Sequence, residues 1–382
     1  MTTLKATIIA LAAAITIFAC NDEIFYQEPL SEPVKAIDIV ARKDLIHPLP
    51  DGSLAIAVQD QDGTVAVARI RRDGTIVMSD SIHELSNFHN LIVNNLGECL
   101  FSQQNIIEDT TQLYKLDRMG KLSDYKKESY YVNKVQVDKQ FILLDNGEIA
   151  YFYREENTNT EEYTLTMHIV GNNFTYVMEK DIDCDDAYSF GDKIFVANAF
   201  SSEYCIFNLD GSLIADGDLV IDECSMNYFS FAKYLGGYLY VVSYGRIKTS
   251  DPEDVTYNYF VTKMDTLGNR VFSTKIDDAY QIQFYMTLNN DLLILTGVQD
   301  NDSGKTGQIY LIDNNSGLLT ETISLNYGGS ESMPLFVSPD GNGEYDVFVG
   351  RNNVYDEEFG NDYYTKLFIY HVDDLYKLQM TN

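Results

Sequence analysis

The chain has 382 residues, 45% hydrophobic and 13% aromatic, enough apolar material for a large buried core. Its 58 acidic and 27 basic residues leave a formal net charge of −31. A surface this acidic repels phosphate backbones, which excludes nucleic acid as a partner.

In chain order the first segment is a processing signal. Met1–Lys5 carries one positive charge and Ala6–Phe18 is a thirteen-residue apolar run. That run is too short to span a bilayer and has the proportions of a signal-peptide core. The tetrad Ile17-Phe18-Ala19-Cys20 that closes it resembles the lipobox of bacterial lipoproteins. The resemblance implies cleavage before Cys20 and acylation of that residue, and several acyl chains anchor a protein firmly. Asn21-Asp22-Glu23 resembles the acidic stretch after the lipidated Cys in surface-exported lipoproteins of Bacteroidetes. Asp80-Ser81-Ile82, Asp109-Thr110-Thr111 and Asp265-Thr266-Leu267 resemble the O-glycosylation sequon of that phylum. The expected division is residues 1–19 as signal peptide, 20–34 as lipidated Cys and tether, and 35–382 as the folded domain. The expected location is the outer membrane, at the cell surface or the periplasmic face. Ordinary secretion, with Cys20 as a spare thiol, is the alternative.

Beyond the tether, seven Gly/Asp/Asn turns each introduce a run of alternating β-formers. They fall at Asp51-Gly52, Gly97, Asn146-Gly147, Gly191-Asp192, Gly236-Gly237, Asn289-Asn290 and Asp340-Gly341, with steps of 45, 50, 44, 46, 53 and 51 residues. In the first unit, alternation predicts strands over Ser53–Gln59 and Thr64–Arg71, joined by Asp62-Gly63 and followed by a turn at Asp73-Gly74. Gly after Asp or Asn supplies the positive φ that hairpins need. Later units repeat a second hairpin signal at Asp117/Gly120, Asp210/Gly211, Asp265/Gly268 and Asp313/Gly317. A strand-only period near fifty residues predicts an all-β fold, a seven-bladed β-propeller of four-stranded antiparallel blades. Two β-sandwich domains would not explain the constant spacing. Either Val34–Val40 or Leu375–Met380 can supply the outer strand of the last blade.

The alternating blade with its apolar-x-apolar-Asp-x-x-Gly hairpin resembles quinoprotein-type propellers, although Trp is absent from the chain. That absence also argues against a WD-type propeller. Catalytic signatures are scarce: HExxH, CxxC and GxSxG do not occur. Gly304-Lys305-Thr306 lacks the first Gly of a P-loop, since Gln299 holds that place, and it opens a strand. No cofactor is expected apart from calcium, for which Asp60/Asp62 and Asp300/Asp302 place carboxylates on alternate residues before a Gly. A solvated hairpin is the simpler explanation of both pairs. Besides Cys20 there are Cys99, Cys184, Cys205 and Cys224, and a Cys184–Cys224 disulfide is compatible with export.

Function is read from topology. Loops between second and third strands emerge on one face of a propeller, and here they are expected at Glu155–Glu162, Ile247–Tyr257, Val298–Gly307 and Asn352–Tyr363. Such loops carry function while the scaffold stays rigid. Just before them, Gln59, Gln103, Arg154, Ser201, Arg246, Gln299 and Arg351 are expected to encircle the channel mouth. Arg154, Arg246 and Arg351 could fork onto carboxylate or sulfate groups, with Tyr244 and Tyr355 adding flat contacts. The alternative is that each Arg pairs with a local acid. The expected function is a lipid-anchored envelope binding or scaffold protein whose partner is a glycan, a peptide or another envelope protein. A propeller polysaccharide lyase or glycosidase acting on acidic glycans is the alternative. It would need at least two of those side chains to converge.

Overall fold

In the computed structural model the described residues run from 33 to 375, except 43–44, 60–63, 83–89, 106–109, 130–140, 158–161, 172–173, 181, 249–256, 278, 283–285, 290, 302–303, 326–331, 341 and 352–362. Residues 1–32, with the predicted signal and Cys20, and residues 376–382 lie outside them.

Alternating β-formers fold into seven antiparallel sheets, each joined to the next in chain order. Blade 1 comprises Ile46–Pro48, Leu54–Gln59, Val65–Ile70 and Ile76–Met78 from the axis outward. Blade 4 comprises Asp186–Phe190, Lys193–Ala197, Glu203–Asn208 and Leu213–Asp218. Blade 5 comprises Cys224–Leu235, Tyr238–Ile247, Tyr257–Met264 and Arg270–Ile276. In blade 6 the inner position is split between Ala279–Gln281 and Met286–Asn289, followed by Leu292–Asn301, Gly304–Asp313 and Leu319–Leu325. The seven-bladed, four-stranded plan expected from the turn spacing is therefore the plan observed.

Both faces of a blade are apolar, so each must be covered by a neighbour. Every one of the seven interfaces holds its own cluster of buried side chains. The interface that decides closure lies between the last blade and the first, where Phe348, Leu367 and Ile369 pack with Ile46, Leu54 and Ile56. Phe348 is fully buried. Truncating such a ring costs about 3–5 kcal/mol, a large share of the ~5–15 kcal/mol by which a domain is stable.

The strand Lys35–Arg42 supplies the outer strand of blade 7, so the N-terminal candidate takes that place. It pairs with Tyr363–Val372 in the register Lys35↔Ile369 and Arg42↔Tyr363, with one bulge between Asp38 and Ala41. Leu375 is instead buried between blades 6 and 7.

The recurrent Asp of the outer hairpins is a local cap. Asp117 Oδ1 accepts the N–H groups of Met119 at 2.8 Å and Lys121 at 2.9 Å, and Asp265 Oδ1 those of Leu267 and Asn269. The backbone donor of Lys121 is the main reason that the Asp117 carboxyl titrates below its usual range. Gly follows because the chain turns left-handed there. Gly317 has φ +75°, and a Cβ at that position would sit 2.6 Å from the Phe272 ring.

A polar clasp crosses the closure seam. Arg72, in an outer hairpin turn of blade 1, donates to the carbonyl of Pro339 in blade 7 at 3.0 Å and pairs with Asp346 at 3.5 Å. His371 lies between Asp346 and Glu344, 2.9 Å from each, and its charge is also felt by Asp340. The hydrogen bond with Asp346, then that with Glu344, raises the imidazole pKa above its ordinary 6.5. A raised folded pKa contributes stability in full below the unfolded value of about 6.5, and that stability is lost as pH rises through the folded value. His371→Gln is therefore expected to lower the melting temperature most at about pH 5.5, with the gap to wild type closing as pH rises. Thermal melts across that range check this, and a gap independent of pH would mean that the imidazolium is not the linking charge.

Candidate functional site

Strand length sets where the mouth face is raised. The second strand of blade 5 has 10 residues and that of blade 4 has 5, a difference of five. At ~3.3 Å per residue the blade 5 hairpin stands roughly 17 Å taller. The inner strands differ in the same sense, 12 residues against 5. Both hairpins turn at Gly-bearing positions on the opposite face, so the extra length lies at the mouth. Blade 6 is tall as well, with second and third strands of 10 residues each.

Alternation then assigns faces. Tyr240 and Val242 are buried against blade 6, so Tyr244 and Arg246, two and four residues on, lie on the same side. Register aligns Tyr228, Tyr244 and Tyr259 in one row and Met226, Arg246 and Tyr257 in the next. Tyr228 and Tyr244 stack with centroids 5.1 Å apart and planes at 22°. Tyr259 and Tyr257 approach Tyr244 at 5.8 and 6.3 Å. The Tyr228 hydroxyl donates to Met226 Sδ at 3.5 Å. Met226 and Tyr257 are exposed, and Tyr228, Tyr244, Tyr259 and Arg246 are half-buried. The result is a tyrosine wall edged by a guanidinium.

Its reverse side is sealed. Gly245 points toward blade 4, where a Cβ would fall 2.3 Å from Cys224 Sγ. Cys224, Ile221 and Phe260 form a small apolar cluster there, with Ile247 against it. Across the interface, blade 6 presents Gln299 and Gln308. Gln308 Nε2 donates to Gln299 Oε1 at 3.0 Å, and Ser324 Oγ donates to Gln308 Oε1 at 3.1 Å. Gln308 is itself fully buried and fixes Gln299, which is half-buried opposite the aromatic faces, an arrangement that suits a ligand with flat apolar surfaces and polar edges.

Among the other predicted mouth residues, Arg154, Ser201 and Arg351 do not join this wall. All lie on or beside second strands, one strand out from the axis, because the first strand of each sheet is innermost. Arg154, in Ile149–Asn157 of blade 3, faces blade 4 and is ion-paired with Asp183 at the entry to that blade. Arg351, in Tyr345–Arg351 of blade 7, lies on the side facing blade 6 with its guanidinium 5.9 Å from the centre of the Phe368 ring. The three arginines thus occupy three blades and two senses of facing. A strand side chain changes face with each residue, and equal position in a repeat does not fix its parity. Ser201 lies in a turn and donates to Glu203 at 3.0 Å. Gln59 and Gln103 lie in Leu54–Gln59 and Cys99–Asn105. Tyr355 is outside the described residues.

Two predicted loops are also shorter than expected. Val298–Gly307 is a paired hairpin out to Asn301↔Gly304, and Glu155–Glu162 pairs out to Asn157↔Glu162. Backbone ladder bonds continue there although the side chains turn polar. Asp60, Asp62 and Asp302 lie outside the described residues, and Asp300 is in Leu292–Asn301. Among the described residues no group of three or more His, Cys, Asp or Glu could hold a metal ion.

Lys233 was not anticipated. It lies on the inner strand of blade 5, on the face it shares with Phe231 and Leu235, and burial pushes its amine down to about 8. A lysine in period with two apolar residues was the available signal. Tyr228 was missed because its register with Tyr244 depends on a bulge between Phe229 and Phe231, whereas Tyr257 and Tyr259 join through an unbroken ladder that a reading of second-strand ends does not reach.

The four described cysteines are free and buried, and Cys184 and Cys224 belong to different clusters. The expected bridge is therefore not formed. Burial pushes the thiols of Cys99 and Cys205 up to about 11. Titration with a disulfide reagent at about pH 8 is expected to leave these four thiols unreactive in the native protein and to count all four in denaturant without reductant. A count of two would restore the bridge.

No known family profile matches this chain, and no characterised protein matches it by sequence. Solved structures resemble this chain at low identity. Virginiamycin B lyase from Staphylococcus aureus is 12% identical, covering 88% of this chain and 99% of that one, with a TM-score of 0.49. A putative 6-phosphogluconolactonase from Bacteroides fragilis is 13% identical, covering 77% and 86%, with a TM-score of 0.46. A member of the DUF4221 family from Bacteroides vulgatus is 8% identical, covering 70% and 92%, with a TM-score of 0.42. The first two are named for different activities and the third for none, and the propeller assignment rests on the seven sheets themselves.

Proposed function

We propose that this protein is a lipid-anchored binding protein of the cell envelope whose contact surface is the tyrosine wall of blade 5, and that its ligand is a glycan bearing carboxylate or sulfate groups. The stacked and tilted rings of Tyr228, Tyr244, Tyr257 and Tyr259, edged by Arg246, carry this reading. Sugar rings offer C–H faces that lie flat on tyrosine. A guanidinium meets an oxyanion with two parallel donors. Arg246 also gives an anionic ligand a local cation on a chain whose net charge would otherwise repel it. Function placed on a wall of paired strands has the rigidity that loops lack.

A glycan array probed with three proteins tests the wall. Tyr244→Ala is expected to weaken every bound glycan by about tenfold or more, near 1.4 kcal/mol. Arg246→Ala is expected to weaken only the carboxylated or sulfated ones. Equal binding by all three proteins would remove the wall from the proposal.

The anchor is supported by the apolar run Ala6–Phe18 and by Ile17-Phe18-Ala19-Cys20. Cys20→Ala is expected to abolish palmitate labelling and to move the protein from the membrane to the soluble fraction. Labelling that persists in the variant would overturn acylation at Cys20.

A further inference from the structure

The tyrosine wall occupies one face of the ring, and the opposite face has a different character. There the outer hairpins of four blades project large apolar side chains. Met119 and Leu267 sit just before the turn glycine, Leu318 just after it, and Phe174 at the start of the outer strand. They are between 61% and 72% exposed. Ile76, Met78, Val177 and Val271, on outer strands nearby, are also exposed. Single exposed apolar residues need no explanation. The same hairpin carrying one in four blades of a ring is a different observation, because the tips share one rim.

Chain direction places the N-terminal segment at that rim. Tyr363–Val372 runs from the mouth face to the turn face, and Lys35–Arg42 runs antiparallel to it. Lys35 therefore lies at the turn face, and its side chain comes so close to Gly74, in a blade 1 hairpin turn, that a Cβ there would sit 2.5 Å from it. The 14 steps from Cys20 to Val34 span at most about 50 Å. A tether of that reach does not orient the ring unaided, so orientation must come from the surface beside it.

We infer that the turn face rests on a lipid surface, with Met119, Phe174, Leu267 and Leu318 seated among the headgroups and the tyrosine wall directed away. This rests on the lipid-anchor reading above. Asp117, Asp265 and Asp313 in the same turns, with the acidic chain as a whole, disfavour anionic lipid. The surface that fits is zwitterionic.

The chain has no Trp, so a single introduced indole reports its own surroundings. Met119→Trp, Leu318→Trp and, on the mouth face, Phe200→Trp replace exposed side chains without touching the core. The full-length acylated proteins are reconstituted in phosphatidylcholine vesicles containing brominated acyl chains. The expected result is quenching and a blue shift at positions 119 and 318, with neither at position 200. Vesicles rich in phosphatidylglycerol should give less quenching at 119 and 318. Proteins that float with the vesicles but show no quenching at any position overturn the docking while leaving the anchor intact. Equal quenching at 119, 318 and 200 overturns it also, since the ring then tumbles on its tether. Protein that fails to float overturns both the docking and the anchor.

Discussion

A blade of this protein cannot leave either face in water, and the structure follows from that constraint. Ile194 and Val196 of blade 4 need Phe152 and Leu165 of blade 3, just as Phe195 and Ile206 on the other side need Phe229 and Val241 of blade 5. Propagated round the chain, the requirement has no end until the last blade meets the first. The pairing of Lys35–Arg42 with Tyr363–Val372 closes that meeting by backbone hydrogen bonds within one sheet, and Phe348 makes it apolar. Seven apolar interfaces then hold the blades in a ring. Side chains hundreds of residues apart are positioned by packing rather than by local preference.

The candidate site exploits a departure from that regularity. Blades 5 and 6 continue their ladders past the height of blade 4, so backbone groups remain paired while side chains rise above the common core. On the blade 4 side the added height is covered by Cys224, Ile221 and Phe260. Among the described residues the other side shows no such cluster, and tyrosines replace aliphatic residues there. Aromatic rings tolerate this position because they combine apolar area with a polar tip. Gly245 has a specific part in the arrangement, since the room left by its missing Cβ is taken by the Cys224 sulfur.

Acidity is distributed with the same logic. Many carboxylates do local structural work as turn caps, as Asp117, Asp265 and Asp313 do, and their charges stay in water. Asp346 is an exception. It is buried at the closure seam, and Arg72 and His371 meet it there from two blades. The seam therefore combines the apolar contact that stabilises closure with a charged contact sensitive to protonation.

Blade number, strand plan and the chemistry of the hairpins were legible before any coordinates, because Asp, Asn and Gly act on their own backbone within four residues. Tyr244, Arg246 and Gln299 were recognisable as polar or aromatic ends of second strands for the same reason. Their grouping was not. Whether a side chain faces the preceding or the following blade depends on a parity of one residue, which bulges such as those in Cys224–Leu235 reset without altering composition. Arg351 thus faces the preceding blade where Arg154 and Arg246 face the following one, a difference that no spacing rule encodes. The choice of Lys35–Arg42 over the C-terminal segment as closing strand was likewise settled only in the folded ring. Local turn chemistry is written residue by residue, whereas facing, height and closure are properties of sheets pressed against one another.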